Sequence, residues 1–164
     1  MRLPAKTGNP PAEMDAPENI LLIRLKSIGD VVLTLPAVHV VRENFPNAKI
    51  TFLTSKTNAP LLRGFREVNE IIALDHAALR SGKPAQMVPE FFGLLRRLRA
   101  GKFSLAVDFQ GYGETGWLSW WSGAPERWGS IYHAHREWPY TRGVPWNYHL
   151  DRKRVVKGES VDLG

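Results

Sequence analysis

From Asn19 onward, short apolar runs alternate with amphipathic or turn-rich stretches, the order expected of strands joined by crossover helices. Ile20-Leu-Leu-Ile-Arg-Leu25 is apolar almost throughout, which suits a central parallel strand covered on both faces. Between Asp30 and Asn44, Val31, Leu35, Val38 and Val41 keep one face inward and predict a helix, with Pro36 expected to kink it or to close an irregular first turn. Lys49–Thr54 and Glu70–Leu74 read as the second and third strands, separated by a short helix around Pro60–Arg63 that ends at Gly64. A loop carrying Arg80, Gly82 and Lys83 follows, and then Phe91, Phe92, Leu94, Leu95 and Leu98 mark an amphipathic helix over Val88–Arg99. Leu105–Phe109 is a fourth strand, Gly113–Ser122 a helix, and Arg127–Ile131 a weaker fifth strand. The order predicts the α/β class: a Rossmann-like, doubly wound parallel sheet with its function at the carboxyl ends of the strands.

The flanks break this pattern. Met1–Glu18 holds four prolines and no apolar block, so it reads as a disordered leader rather than a signal peptide. Tyr132–Leu150 is rich in His, Trp, Tyr and Pro and reads as an ordered loop whose partner surface lies outside the chain. The last fourteen residues, Asp151–Gly164, have no amphipathic period and resemble the translation of a sequencing adapter. They are expected to be a non-native tail or the start of an interdomain linker, which leaves residues 19–150 as the domain.

Composition narrows the chemistry. The 164 residues include no Cys, which excludes a disulfide scaffold, thiolate-held zinc or iron–sulfur clusters, and thiol catalysis. No apolar run reaches the length of a membrane-spanning helix. The net charge of +6 favours polyanions, acidic lipids or phosphorylated substrates without choosing among them.

Three motifs compete to carry function. Lys26-Ser-Ile-Gly-Asp30 sits after the first strand, where Gly29 allows a tight turn and Asp30 can either cap the next helix or serve as a general base. Gly111-Tyr-Gly-Glu-Thr-Gly116 matches the letters of the dinucleotide fingerprint, but it follows the fourth strand, and Glu137, at the right distance, lies in the irregular loop. His39, His76, His133, His135 and His149 lack the spacing of a zinc-protease motif and read as surface or interface residues, so no metal site is predicted. Arg80 and Lys83, on the ligand-binding edge, are the better candidates for holding phosphate or carboxylate, whereas Arg96, Arg97 and Arg99 read as a solvated helix face. The six tryptophans suggest a core or a domain interface; with no RNA-binding motif beside them, no nucleic-acid partner is predicted.

The run Ile20–Ala37, with its strand, S-x-G-D turn and T-x-P-A helix start, together with Phe45–Thr54 and the D-x-Q-G block in Leu105–Gly111, resembles the lipopolysaccharide heptosyltransferases of glycosyltransferase family 9. The likeness covers Asn19 to about Leu150 and implies the N-terminal, acceptor-binding half of a two-domain GT-B enzyme. It implies inverting, metal-independent transfer of heptose from ADP-heptose, with the donor held mainly by a C-terminal domain missing from this chain and with no further cofactor. The resemblance makes Asp30 the base that deprotonates the acceptor, with Ser27 and Gly29 shaping its turn, and it places Gln110 and Gly111 on the acceptor side. Glu114 stands where family members often carry Lys or Arg, and His149 looks like the histidine before the interdomain linker. The implied acceptor is an anionic glycolipid, Kdo on phosphorylated lipid A or its heptosylated form, so Arg80 and Lys83 are expected to orient it. The implied location is cytoplasmic, peripheral on the inner leaflet of a Gram-negative inner membrane. A chain with only this half is expected to be inactive. The alternative is a non-catalytic Rossmann-like module that binds an anionic glycan or a dinucleotide.

Overall fold

The computed structural model describes residues 16–131 and 138–145. Within them the strands are β1 (Asn19–Ile23), β2 (Lys49–Ser55), β3 (Glu70–Leu74), β4 (Leu105–Asp108), β5 (Glu126–Ile131) and β6 (Arg142–Pro145). They form one sheet in the order β3-β2-β1-β4-β5-β6, every pairing parallel. The helices are α1 (Ile28–Asn44), α2 (Ala59–Leu62), α3 (His76–Arg80), α4 (Pro84–Ala100) and α5 (Gly113–Trp121). The predicted doubly wound sheet is therefore present.

β1 shows why it holds the centre. Ile20, Leu21, Leu22 and Ile23 are all fully buried, because successive side chains enter different cores on opposite faces of the sheet. Leu21 and Ile23 join Leu94 and Leu98 of α4 and Leu118 of α5, whereas Ile20 and Leu22 meet Val31 and Val38 of α1. From β1 the chain moves outward through β2 to β3, then returns to lay β4 on the other side of β1. That reversal opens a crevice between the carboxyl ends of β1 and β4.

Several boundaries differ from the sequence expectation. β1 stops at Ile23 rather than Leu25, and α1 starts at Ile28, so Gly29 and Asp30 lie in a first helical turn instead of a tight turn. Gly29 has no positive φ, and a Cβ there would meet nothing within 4 Å, so the turn does not require a glycine. Pro36 does not end α1: the carbonyl it deprives of a donor belongs to exposed Val32, where water can satisfy it. Arg80 is not in a loop but closes α3, a helix started by Asp75, whose carboxylate accepts from the Ala78 N–H at 3.0 Å. Pro84 opens α4 before the apolar positions begin, since its fixed φ suits a first helical position. The stretch after Ile131 is not wholly irregular: Arg142–Pro145 forms β6, an edge strand whose Pro and Gly hid it. The leader up to residue 15, Glu137, His133, His135, His149 and the 151–164 tail lie outside the described residues.

Two glycines make room for the segment 138–140. Gly129 of β5 pairs with Asp108 of β4, and a Cβ on it would fall inside the Tyr140 ring. Through that gap Tyr140 reaches the buried Asp108 and donates its hydroxyl to Oδ2 at 2.6 Å. Gly116 of α5 likewise leaves space for Pro139. Gly129→Ala is expected to displace the Tyr140 ring and strip a donor from a buried carboxylate, at a cost of about 1–3 kcal/mol. Denaturant unfolding measures this, and a midpoint equal to wild type contradicts the packing argument.

Candidate functional site

The crevice at the strand reversal is built from two loops, residues 24–27 after β1 and 109–112 after β4. Gln110 joins them. It is 1% exposed, and its Oε1 accepts from the backbone N–H groups of Leu25 and Lys26, each at 3.0 Å. Asn58, also buried, donates to the Leu25 carbonyl at 3.0 Å. On the other loop, Asp108 Oδ1 accepts from the N–H groups of Gln110 (2.8 Å) and Gly111 (3.1 Å). Gly111 has φ +67, a left-handed conformation that favours glycine and turns the chain towards α5. Burial pushes the Asp108 carboxyl up, against the hydrogen bonds donated to it by Tyr140, Thr115, Gln110 and Gly111. Asp108 is thus a buried anchor, not a group open to a substrate.

On this frame stands Asp30. Ser27 is the N-cap of α1 and Asp30 its third residue, and the Ser27 N–H donates to Asp30 Oδ2 at 3.1 Å, as in a capping box. Arg24 contacts the same oxygen through Nη2 at 2.9 Å, while its Nη1 donates to the Phe109 carbonyl across the crevice. Among the described residues, Asp30 Oδ1 accepts no hydrogen bond, and the side chain is 43% exposed. The Ser27 N–H, and after it the positive charge of Arg24, hold the Asp30 carboxyl below the usual aspartate range. Capping and a solvent-facing proton acceptor therefore coexist in one side chain, one oxygen for each.

The remaining candidates divide. Ser27 and Gly29 flank Asp30 at the exposed start of α1. Glu114, in the first turn of α5, pairs with Lys26 at 2.8 Å and so ties α5 to the loop after β1. Gln110 and Gly111 shape the crevice from within: Gln110 Oε1 and the Gly111 N–H are spent on the two loops, whereas the buried Gln110 Nε2 has no hydrogen-bond partner among the described residues. Arg80 ends α3 and Lys83 caps α4, on either side of the Ser81–Gly82 turn. His39 sits between Glu43 (3.4 Å) and Glu67 (3.3 Å), on the outer face of α1. Among the described residues no group of three or more His, Asp or Glu could hold a metal ion. No described helix is long and apolar enough to cross a membrane.

Two features had not been singled out in the sequence. Arg24 lay inside an apolar run and read as part of a strand; its position six residues before Asp30 was the available signal. The second is a cavity of about 360 Å³ beside the crevice, with Leu25 in the loop after β1, Leu74 at the end of β3, His76 and Arg80 on α3, and Trp117 and Trp121 on α5 among its walls.

No family model matches the chain. A curated relative, lipopolysaccharide heptosyltransferase 3 of Escherichia coli, is 31% identical over 80 residues, 49% of this chain and 23% of that protein. The match thus spans about a quarter of the relative's length. Among solved structures, Escherichia coli heptosyltransferase WaaC with ADP superimposes with TM-score 0.70 at 19% identity, over 89% of this chain and 48% of that one. A glycosyl transferase of family 9 from Veillonella parvula gives 0.67 at 22% identity, over 80% of this chain and 36% of that one. MurG of Acinetobacter baumannii gives 0.56 at 15% identity, over 79% of this chain and 42% of that one. The fold is that of one part of these GT-B glycosyltransferases, and the sequence resemblance to the lipopolysaccharide heptosyltransferases stands.

Arg24→Met is expected to raise the pH at which Asp30 titrates, followed by the carboxyl-carbon chemical shift. Because the folded value is lowered, the stabilisation it carries is complete above the pKa of an unfolded aspartate and is lost as pH falls through the folded value. Arg24→Met should shrink that acid-side loss, and an unmoved Asp30 titration rules out the Arg24 contribution.

Proposed function

We propose that this domain is the acceptor-binding half of an inverting glycosyltransferase that adds heptose to an anionic, lipid-linked saccharide of the lipopolysaccharide inner core. The observation that carries the reading is the state of Asp30: an ionised carboxylate with one oxygen fixed and the other open, at the sheet's reversal point. It is supported by the 31% identity to a heptosyltransferase. The donor is ADP-heptose, held by a second domain facing the crevice.

In the reaction, the acceptor hydroxyl approaches Asp30 Oδ1. As the hydroxyl oxygen bonds to the anomeric carbon from the face opposite the leaving group, its proton passes to Oδ1 and the bond from that carbon to the phosphate oxygen breaks. ADP leaves with the electron pair, and the configuration inverts. A carboxylate with a lowered pKa is a weak base towards a free alcohol, so the proton moves only as the forming bond makes the hydroxyl acidic. In exchange, Asp30 is charged whenever the acceptor arrives, and Arg24 keeps it on one rotamer.

Arg80 and Lys83 supply positive charge on the same edge of the sheet for the acceptor's carboxylates and phosphates, and Ser27 and the bare backbone at Gly29 leave the start of α1 open to a sugar. The basic balance of +6 suits peripheral work at an acidic leaflet, on the cytoplasmic face of the inner membrane. In this reading sugar transfer requires a donor domain as well as this one.

The test uses a protein carrying this domain together with a donor domain, with ADP release and glycolipid mass as readouts. Asp30→Asn should lower kcat by about 10²–10⁴-fold while leaving the KM for ADP-heptose nearly unchanged. Turnover within twofold of wild type removes Asp30 from the mechanism.

A further inference from the structure

Apart from Arg80, whose charge the transfer just described also uses, the walls of the cavity beside the crevice have no part in that reaction, yet they are built like a binding site. The cavity's volume of about 360 Å³ falls within the size range of small-molecule pockets. Leu25, Leu74, Leu79, Phe91, Leu94 and Leu118 give it apolar walls that offer water no hydrogen bonds. The aromatic side is a cluster of edge-on rings. Trp117 packs on the half-exposed Trp138 with ring centroids 4.5 Å apart, and Trp121 meets Phe91, another wall residue, edge-on at 5.3 Å.

The polar groups of the cavity are three: His76, Arg80 and Glu114. Glu114 is already matched by Lys26 at 2.8 Å. Among the described residues, Arg80 has no carboxylate partner within 4.0 Å, and the buried His76 Nε2 has no hydrogen-bond partner. An apolar chamber with an unmatched cation and an unsatisfied ring nitrogen is complementary to a molecule that is greasy at one end and anionic at the other.

We propose that this cavity binds a single-chain anionic amphiphile, its alkyl chain between α4 and α5 and its carboxylate on Arg80, with His76 beside it. The site shares Arg80 with the acceptor reading and does not include Asp30.

Isothermal titration of the full 164-residue chain with fatty acids below their micelle thresholds tests this. Dodecanoate should bind one-to-one and saturably, with affinity rising about fourfold per methylene from octanoate, as burial of an alkyl chain requires. Arg80→Gln should weaken dodecanoate about tenfold and leave dodecanol unchanged. Leu79→Trp should fill the cavity and abolish binding of both. As a check that needs no cavity variant, 12-bromododecanoate should quench tryptophan emission in the wild-type chain, and Trp121→Phe should remove a large part of that quenching. Absence of saturable heat and quenching overturns the proposal, as does affinity indifferent to chain length or to Arg80→Gln. Asp30→Asn should bind dodecanoate like wild type, so failure of this site leaves the transfer reading where it stood, and the reverse.

Discussion

The crevice depends on one buried carboxamide. Gln110 has given its oxygen to two consecutive backbone N–H groups of the facing loop, at a depth where an unmatched N–H costs about 1–3 kcal/mol. This fixes where β1 ends and how the chain enters α1, and so it fixes the position of Ser27 and Asp30 relative to β4. Asn58 does the same from a third loop by donating to the Leu25 carbonyl. The backbone beneath the proposed base is therefore braced by side chains from two parts of the chain distant from it in sequence. Asp30 needs only local contacts, to Ser27 and Arg24, to stand at a defined angle.

The centre of the sheet was legible because a central parallel strand must be apolar on both faces, as β1 is, and the edge strand β3 was legible from its own short apolar run. Boundaries were less legible, since loop residues such as Leu25 are buried for reasons of their own, and a strand and a buried loop look alike in composition. β6 escaped because an edge strand with Gly and Pro carries neither alternation nor an apolar run. At the site, Asp30 was visible through the S-x-G-D run, but the direction of Gln110 was not. A residue type records that an amide is present, not whether it faces a ligand or a neighbouring loop. The cavity could not be read at all, because its walls come from segments near residues 25, 74–80, 91–94 and 114–121, and only the packing of α3, α4 and α5 brings them together.

The division of labour between crevice and cavity follows from the Lys26–Glu114 pair. It lies between the charged cluster around Asp30 and the apolar chamber under α4 and α5, with both side chains partly exposed. A pair of this kind contributes about 0–1 kcal/mol to stability. Its larger effect is electrostatic: Lys26 offsets the carboxylate that would otherwise repel an anion near Arg80.

The glycines that leave space for residues 138–140 bear on how such chains diverge. Gly116 is spelled like the last letter of a nucleotide fingerprint, yet what it accommodates is the ring of Pro139, and Gly129 accommodates that of Tyr140. Positions 116 and 139, and 129 and 140, are therefore coupled by shape. A lineage that acquires a side chain at one position must shrink or redirect the ring at its partner. Within G-x-G-x-x-G, then, Gly111 serves the left-handed turn into α5 and Gly116 the close approach of Pro139, two separate steric demands that together spell a nucleotide fingerprint.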